Sequence, residues 1–485
     1  MSPYILLLFV AGYFLLLLAV AKYTGRNANN ESFFIGNRNS NWMLVAFGMI
    51  GTSLSGVTFV SVPGGVGKES FAYFQIVIGY LIGYFIIAFV LLPLYYRLNL
   101  TSIYNYLRGR LGTTSYKTGA SFFILSRVLG ATARLYLVVK ILQDAILADL
   151  GVPFWITTLI ILIMILIYTY EGGVKTIVFT DTLQTTFMLT GLIVCVVYIL
   201  HVMNLNMGSA LSLLHDQGYS KIFFSDPNSK LFFGKQILAG IFITITMTGM
   251  DQEMMQKAIS VKTLRDSQKN MITLSLIMVA VILLFLFLGG LLHIYGAQTG
   301  VTSSGDKLFP DLALHHMPAF VSLIFIIGLI SALFPSADGA ITALTSSFCI
   351  DILGMHRHED WSETKRKKIR QRVHLGVAFI FLLFVMMFYQ INNPSMIGVI
   401  LKVAAYTYGP LLGLFTFGII TKRQVKDKLT PVVCILAPII CFFIDKFQDK
   451  LFPGFVIGSE LLILNGLLTF IGLLMISKNK VEKNL

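Results

Sequence analysis

Charged residues are scarce in this chain, and so are cysteines. Only 12% of the 485 residues are Asp, Glu, Lys or Arg, 56% are hydrophobic, and the mean hydropathy is +0.79. A soluble core stops growing before it could use so much apolar material, so a soluble globular protein is excluded. The four cysteines all lie in apolar runs, which excludes a disulfide framework.

The chain also lacks room for a soluble domain between its apolar runs. The longest connections, near 204–231 and 298–317, are too short for an appended ATPase or kinase. Residues 63–70 look like a phosphate-binding loop, but Val62 replaces its first glycine and Glu69 follows its lysine. No pair of histidines has metal-binding spacing, and we expect no cofactor. An energy-coupled transporter of this composition must therefore use an ion gradient.

Apolar runs of about 20 residues recur along the whole length, which predicts an all-α integral membrane protein. We expect thirteen spans, at 2–22, 41–63, 71–96, 116–148, 153–170, 177–203, 232–257, 270–297, 318–353, 372–391, 395–420, 429–447 and 455–477. No Lys or Arg precedes the first run, which favours an uncleaved helix over a signal peptide.

The distribution of basic residues predicts the orientation. With the N-terminus outside and the C-terminus inside, the connections carry 26 Lys or Arg inside and 6 outside. The net charge of +14 is therefore a signal of topology. The basic run 365–372 is interpreted as a cytoplasmic loop at lipid headgroups and not as a nucleic-acid site.

Residues 330–348 place a proline, an aspartate and several hydroxyls within an apolar run. Pro335 cannot donate a backbone N–H to the carbonyl of Ser331, so an oxygen stays free near Asp338. Hard cations such as sodium prefer oxygen ligands, so this stretch is a candidate ion site. The alternative is a polar seam between helices without any ligand.

Other polar residues within the predicted spans differ in how strongly they indicate a functional site. Residues 47–59 hold three glycines and four hydroxyls, which predicts an unwound segment that exposes carbonyls. Lys140 and Asp144 are spaced i,i+4 and are expected to neutralise each other. The charged side chains of Asp251, Glu253 and Lys257 are expected to extend to water from the inner end of their span. Asp181 has no such explanation.

Four motifs in order resemble those of the sodium/solute symporter family, and the resemblance covers nearly the whole chain. They lie at 171–184, with its Gly-Gly, Thr-Asp and Gln, at 92–110, at 249–257 and at 406–413. The resemblance implies a LeuT-type core of two inverted five-helix repeats in a single transporter domain of residues 1–485. Its parts would be an extra helix and inside loop at 1–40, repeats at 41–203 and 231–421, and two further helices with the tail at 428–485.

The resemblance also implies ion sites. Sodium would bind carbonyls of Gly51, Leu54 and Ala332 and the hydroxyl of Ser336, and Asp181 would stand near its path. Pro335 replaces a hydroxyl that the family carries, and either the Ser331 carbonyl or Asp338 is expected to compensate. A second cation, or a proton, is expected at Asp338 and Ser331.

The implied solute pocket departs from that of the sugar-transporting members. Val57 and Thr58 replace their acid–amide pair, and Met247 and Thr248 replace their aromatic platform. The pocket looks more like the iodide, monocarboxylate and multivitamin branch, whose solutes are anionic. Arg127, Arg134 or Lys402 could supply the counter-charge; the alternative is that both arginines point to an inner vestibule or pair with a carboxylate. The remaining expected pocket residues are Ser53, Gln75 and Thr244.

The predicted function is sodium-coupled symport of a small organic solute, with an anionic solute as one option, by alternating access. We expect no enzymatic activity, Na⁺ as the only metal ion, a location in the plasma membrane bilayer, and a functional monomer. A proton-coupled symporter of the same fold is the alternative, and a sugar or sialic-acid-type solute ranks lower. A channel or sensor would need a continuous polar stripe or a signalling domain, and the sequence has neither.

Overall fold

The computed structural model describes residues 3–25, 30–148, 150–391 and 396–479. Within these ranges nearly all regular structure is helical. The long helices, labelled here in chain order, are α1 (Pro3–Thr24), α2 (Trp42–Ser53), α3 (Gly56–Glu69), α4 (Tyr73–Arg97), α5 (Thr113–Leu147), α6 (Phe154–Tyr170), α7 (Gly172–Val202), α8 (Phe233–Gly249), α9 (Gln252–Ala258), α10 (Leu264–Gln298), α11 (Ala319–Ile352), α12 (Glu363–Ile391), α13 (Met396–Thr407), α14 (Gly409–Ile420), α15 (Thr430–Lys446) and α16 (Leu461–Met475).

Short elements complete the described chain. The short helices are Asn30–Ile35, Asn105–Arg110, Met207–Asp216, Leu308–Asp311 and Gln448–Leu451. Two strands, β1 (Gln424–Val425) and β2 (Ser477–Lys478), pair antiparallel and tie the segment after α14 to the segment after α16.

Among the described residues, eight helices are long and apolar enough to cross a membrane, and three bent pairs raise that number to as many as eleven. The bends are 56° between α2 and α3, 69° between α8 and α9, and 45° between α13 and α14. Two shorter apolar helices, α6 and α16, coincide with two further expected spans. Thirteen spans and the orientation remain predictions. The expected span limits at residues 2 and 395, and the tail from 480 to 485, lie outside the described residues.

A glycine at the start of α7 marks the kink between α6 and α7. Gly173 has φ +52°, a conformation that side-chain-bearing residues rarely adopt, and a Cβ there would overlap Phe33. The Gly-Gly pair of the sequence motif therefore lies at the start of α7, at the kink between the expected spans 153–170 and 177–203.

Helix α11 lies at the centre of the protein. All residues from Gly328 to Ser347 are buried, because α1, α3, α5, α7 and α12 pack around it. Small residues along α11 allow this close approach. Pro335 lies inside this helix without interrupting it. Because the whole stretch is buried by neighbouring helices, the polar residues of α11 do not face lipid.

Two helix bends are joined by one hydrogen bond. Tyr408 lies between α13 and α14, and its hydroxyl donates to Asp251, between α8 and α9, at 2.7 Å. Both side chains are buried. This bond connects the two bent pairs of the second predicted repeat.

Candidate cation and solute site

The break between α2 and α3 supplies free carbonyl groups. The hydrogen-bond ladder of α2 ends where the Leu54 N–H donates to Ile50, at 2.7 Å, and resumes where the Phe59 N–H donates to Ser55. Leu54 itself has φ −94° and ψ 70°, outside the helical region. The last carbonyls of a helix have no partner within it, and those of α2 include Gly51. The predicted unwound segment is therefore a two-residue break.

Helix α11 approaches this break at Pro335. The Gly51 N–H donates to Thr185 Oγ1 at 3.1 Å, and a Cβ on Gly51 would lie 3.4 Å from Pro335 Cγ. The Ser336 hydroxyl donates to its own helix at Leu333, at 2.8 Å, so its lone pairs are available to a cation. The structure thus brings the break and the Ala332–Ser336 turn of α11 together, where the sequence predicts sodium.

Asp181 of α7 lies against the same end of α2. Its Oδ2 accepts hydrogen bonds from Lys257 Nζ at 2.7 Å and from Thr52 at 3.2 Å, and Lys257 also donates to Thr52 at 2.8 Å. Its other oxygen, Oδ1, has no partner among the described residues. Asp181 is therefore half satisfied, beside the free carbonyls of the break.

The expectation that Asp251, Glu253 and Lys257 extend to water is wrong. They are 0%, 0% and 1% exposed, because the 69° bend turns α9 into the protein. Glu253 makes a short ion pair with Arg127, which also lies 3.7 Å from Asp251. Sequence reasoning missed Lys257 as a site residue. Two features of the sequence could have indicated it. Lys257 is spaced i,i+4 from Glu253, and it is the last residue of the family motif at 249–257.

Asp338 of α11 lies next to this charged cluster. Its Oδ2 accepts a hydrogen bond from Tyr168 at 2.6 Å, whereas Oδ1 has no partner within the described ranges. A Cβ on the adjacent Gly339 would overlap Glu253, which shows how closely α11 and α9 approach. The Ser331 hydroxyl donates to Tyr13 of α1 at 2.8 Å, so it does not serve Asp338.

A cavity opens beside the break and contains most of the expected pocket residues. Seven of the nine line it, namely Ser53, Val57, Thr58, Arg134, Thr244, Met247 and Thr248. Three tyrosines that sequence reasoning missed, Tyr73, Tyr80 and Tyr84, line it too. The hydroxyls of Tyr73 and Tyr80 lie 3.3 Å apart. The remaining wall is mostly aliphatic or methionine, with Thr52, Ser55 and Arg127 as its polar members.

The structure places Gln75 and Lys402 outside this cavity. The amide of Gln75 donates to Ala72 and Leu231 and accepts from the Phe224 N–H, so it anchors the 204–231 connection. Lys402 lies in a neighbouring cavity, 2.7 Å from Asp445. Its charge is thus already paired.

The two arginines of α5 differ in their partners. Arg127 pairs with Glu253 and Asp251, as the alternative interpretation expected. Arg134, two turns later, lines the cavity as Arg127 does, but it has no ion pair or hydrogen bond within the described chain. Arg134 is therefore the cavity's unpaired cation.

Comparison with known proteins identifies the class as a transporter and not an enzyme. The sequence model of the sodium:solute symporter family matches residues 33–427. The chain belongs to this family.

Relatives over most of the chain share about a quarter of their residues with it. The sodium/sialic acid symporter SiaT of Proteus mirabilis is 23% identical, over 94% of this chain and 93% of its own. A putative sodium-dependent multivitamin transporter of Drosophila melanogaster is 24% identical over 88% and 71%. The human sodium/iodide cotransporter is 28% identical, but over only 49% and 37%.

A solved structure of similar fold supports the predicted architecture. The substrate-bound, outward-open structure of a Na⁺-coupled sialic acid symporter superposes with a TM-score of 0.83 at 18% identity, covering 98% of this chain and 99% of that one. The fold is thus the LeuT-like fold of sodium-coupled symporters, as predicted.

Proposed function

We propose that this protein couples sodium entry to the uptake of a small organic anion across the plasma membrane, by alternating access. Its family and relatives support sodium coupling. The observation that supports an anion is Arg134, a guanidinium in a cavity at the helix break that has no partner among the described residues. A partly buried cation without a counter-charge is unfavourable, and a carboxylate of the solute would supply that counter-charge.

Sodium would bind at the contact between the break and α11. The carbonyls of Gly51, Leu54 and Ala332 and the hydroxyl of Ser336 are the proposed ligands, with Asp181 Oδ1 as the nearby charge. These are neutral and anionic oxygens of the kind that hard cations prefer. Sodium bound here would hold α2 and α11 together and so favour one orientation of the cavity.

The cavity suits a solute that has an anionic group and an apolar part. Thr58, Thr244 and Thr248 offer hydroxyls near Arg134, and Met247 and Ile243 offer apolar contact. A sialic-acid-type solute, ranked lower on the sequence alone, now stands level with a monocarboxylate. The relatives that match nearly the whole chain include sialic acid symporters.

The test is uptake into proteoliposomes with an inward sodium gradient, an inward proton gradient, or neither. The panel would hold sialic acid, a short monocarboxylate, iodide and neutral glucose. We expect uptake of one anion that depends on sodium. Uptake of glucose alone would overturn the anion, and uptake driven only by protons would overturn sodium coupling.

Arg134→Ala tests how the anion is held. Losing a desolvated, charge-assisted bond should weaken apparent solute affinity about tenfold or more. Arg134→Lys should recover part of the loss, because it keeps the charge. Lys402→Ala is the matched control, since that cation is already paired with Asp445, and it should leave solute affinity near the wild-type value.

A further inference from the structure

The 298–317 connection joins two helices that line the candidate solute cavity. Its Gly305–Lys307 turn packs on α3, where a Cβ on Gly64 would overlap the Gly305 carbonyl. From the same turn, Asp306 Oδ2 accepts a hydrogen bond at 3.0 Å from the backbone N–H of Met396, the first residue of α13. One buried carboxylate thus connects α13 to a turn that is seated on α3.

Helix α13 forms one wall of the solute cavity. Ile397, Ile400 and Leu401 line the cavity, within two turns of Met396. The first N–H groups of a helix have no partner within it. A carboxylate beside them satisfies one of these donors and also interacts favourably with the helix dipole. Asp306 therefore caps α13 from a distant part of the chain, and this contact fixes where the wall begins.

Asp306 has charged neighbours but no ion pair within the described chain, and it is 8% exposed. It lines a second cavity, of about 510 Å³, between the connection and the last turns of α5, so water in that cavity can reach it. The other charged or titratable groups of this cavity are Lys140, Asp144, Lys307, Asp311 and His315. Lys140 pairs with Asp144, and Asp311 pairs with His315. The start of α13 is therefore the positive group that Asp306 contacts directly.

We propose that Asp306 is a positioning residue for transport, whose carboxylate holds the start of α13 to the 298–317 connection and whose neutralisation releases this cavity wall. A wall that is no longer held is less preorganised, which weakens solute binding. Burial raises the pKa of Asp306, whereas the Met396 N–H and Ser61 of α3 act in the opposite direction. With a raised pKa, the charge is present at higher pH and is lost at a less acidic pH than in an exposed aspartate, whose pKa is about 3.9. Acid in the second cavity therefore releases α13.

Hydrogen exchange followed by mass spectrometry tests this contact without any solute. The variant is Asp306→Asn, which keeps an acceptor oxygen but carries no charge. At about pH 8, its amides in 396–401 should exchange about fivefold faster than those of the wild type, the factor that a typical helix cap provides. At about pH 5, after correction for the intrinsic pH dependence of exchange, the wild type should approach the variant. Equal exchange of the two proteins at both pH values would overturn the proposal.

Asp311→Asn is the matched control. Asp311 lines the same cavity, yet its hydrogen bonds within the described chain go to Ser303 and His315 of the connection itself. This variant should exchange like the wild type. An equal acceleration in Asp311→Asn would indicate general loosening of the connection and would overturn the role of Asp306. If Asp306→Asn does not fold, the wild type alone decides, since corrected exchange of 396–401 that is the same at both pH values contradicts the proposal.

Uptake into proteoliposomes is the second readout, and it rests on the function proposed above. Asp306→Asn should raise the half-saturating concentration of the transported solute about fivefold at about pH 8 and change it little at about pH 5. Equal half-saturating concentrations at the higher pH would contradict the link between α13 and solute binding. Absence of uptake by every protein overturns the proposed function, whereas exchange in α13 decides separately whether Asp306 holds this helix.

Discussion

Lys257 and Asp181 form an ion pair inside the protein, with 2.7 Å between Nζ and Oδ2 and both side chains 1% exposed. The pair joins α9, in the second predicted repeat, to α7, in the first. Removing one partner of a buried pair leaves an uncompensated charge.

Lys257→Met should therefore destabilise the protein by about 3–5 kcal/mol, because Asp181 and Glu253 both lose a cation. Thermal unfolding in detergent measures the change. The double variant with Asp181→Asn should lose less than the sum of the two single variants, since neither charge then remains unpaired. Additive losses would show that the pair does not act as a unit.

Asp181→Asn alone should weaken the response to sodium, because it removes the charge beside the proposed ion site. The measurement is the sodium concentration for half-maximal thermal stabilisation, with choline chloride as the ionic-strength control. Exposed Asp144→Asn on α5 should leave that concentration unchanged. Wild-type sodium dependence in Asp181→Asn would separate this carboxylate from the ion.

Ser336→Ala should raise the half-saturating sodium concentration about tenfold, which corresponds to the roughly 1.4 kcal/mol expected for one lost ligand. Ser346→Ala is the matched control, since that buried hydroxyl also donates to its own helix, at Thr342. Equal effects of the two substitutions would indicate loss of packing in place of loss of a ligand.

Pro335→Ser tests whether the free Ser331 carbonyl substitutes for the hydroxyl that the family carries. The serine adds a hydroxyl but restores an N–H that recaptures the carbonyl. If the carbonyl binds sodium, one oxygen replaces another, and we expect little change in half-saturating sodium. A clear tightening would show that Pro335 simply removes a ligand.

Gly339→Ala and Gly376→Ala should change stability in opposite directions. A methyl on Gly339 would overlap Glu253, so it must displace the buried ion pairs. Gly376 lies on α12 with nothing within 4 Å of the added Cβ, so alanine there should stabilise the helix by about 1 kcal/mol. Melting temperatures decide this. A stabilising Gly339→Ala would contradict the observed approach of α11 to α9.

Local chemistry explains which parts of the site the sequence predicts. Glycine and serine weaken a helix wherever they occur, so the break at Leu54 and Ser55 is visible in residues 47–59. A proline always lacks its N–H, so the free carbonyl at Ser331 follows from Pro335 alone. The approach of these two stretches required the family resemblance as well.

Long-range geometry explains what the sequence does not predict. Lys257 reaches Asp181 only because α9 bends by 69° from α8, an angle set by tertiary packing. Gln75 has a side chain that could bind a solute, yet the 204–231 connection folds back and forms hydrogen bonds with its amide group. Only the folded chain distinguishes Arg134 from Arg127, since both occupy apolar turns of the same helix.

The bond between Tyr408 and Asp251 has a mechanical consequence. It fastens one bend to another, so neither bent pair can straighten without stretching a buried 2.7 Å contact or carrying the other along. Asp251 also lies 3.7 Å from Arg127 of α5. The two bends and α5 are thereby connected through side-chain contacts, and we expect a movement of one of them to move the other two.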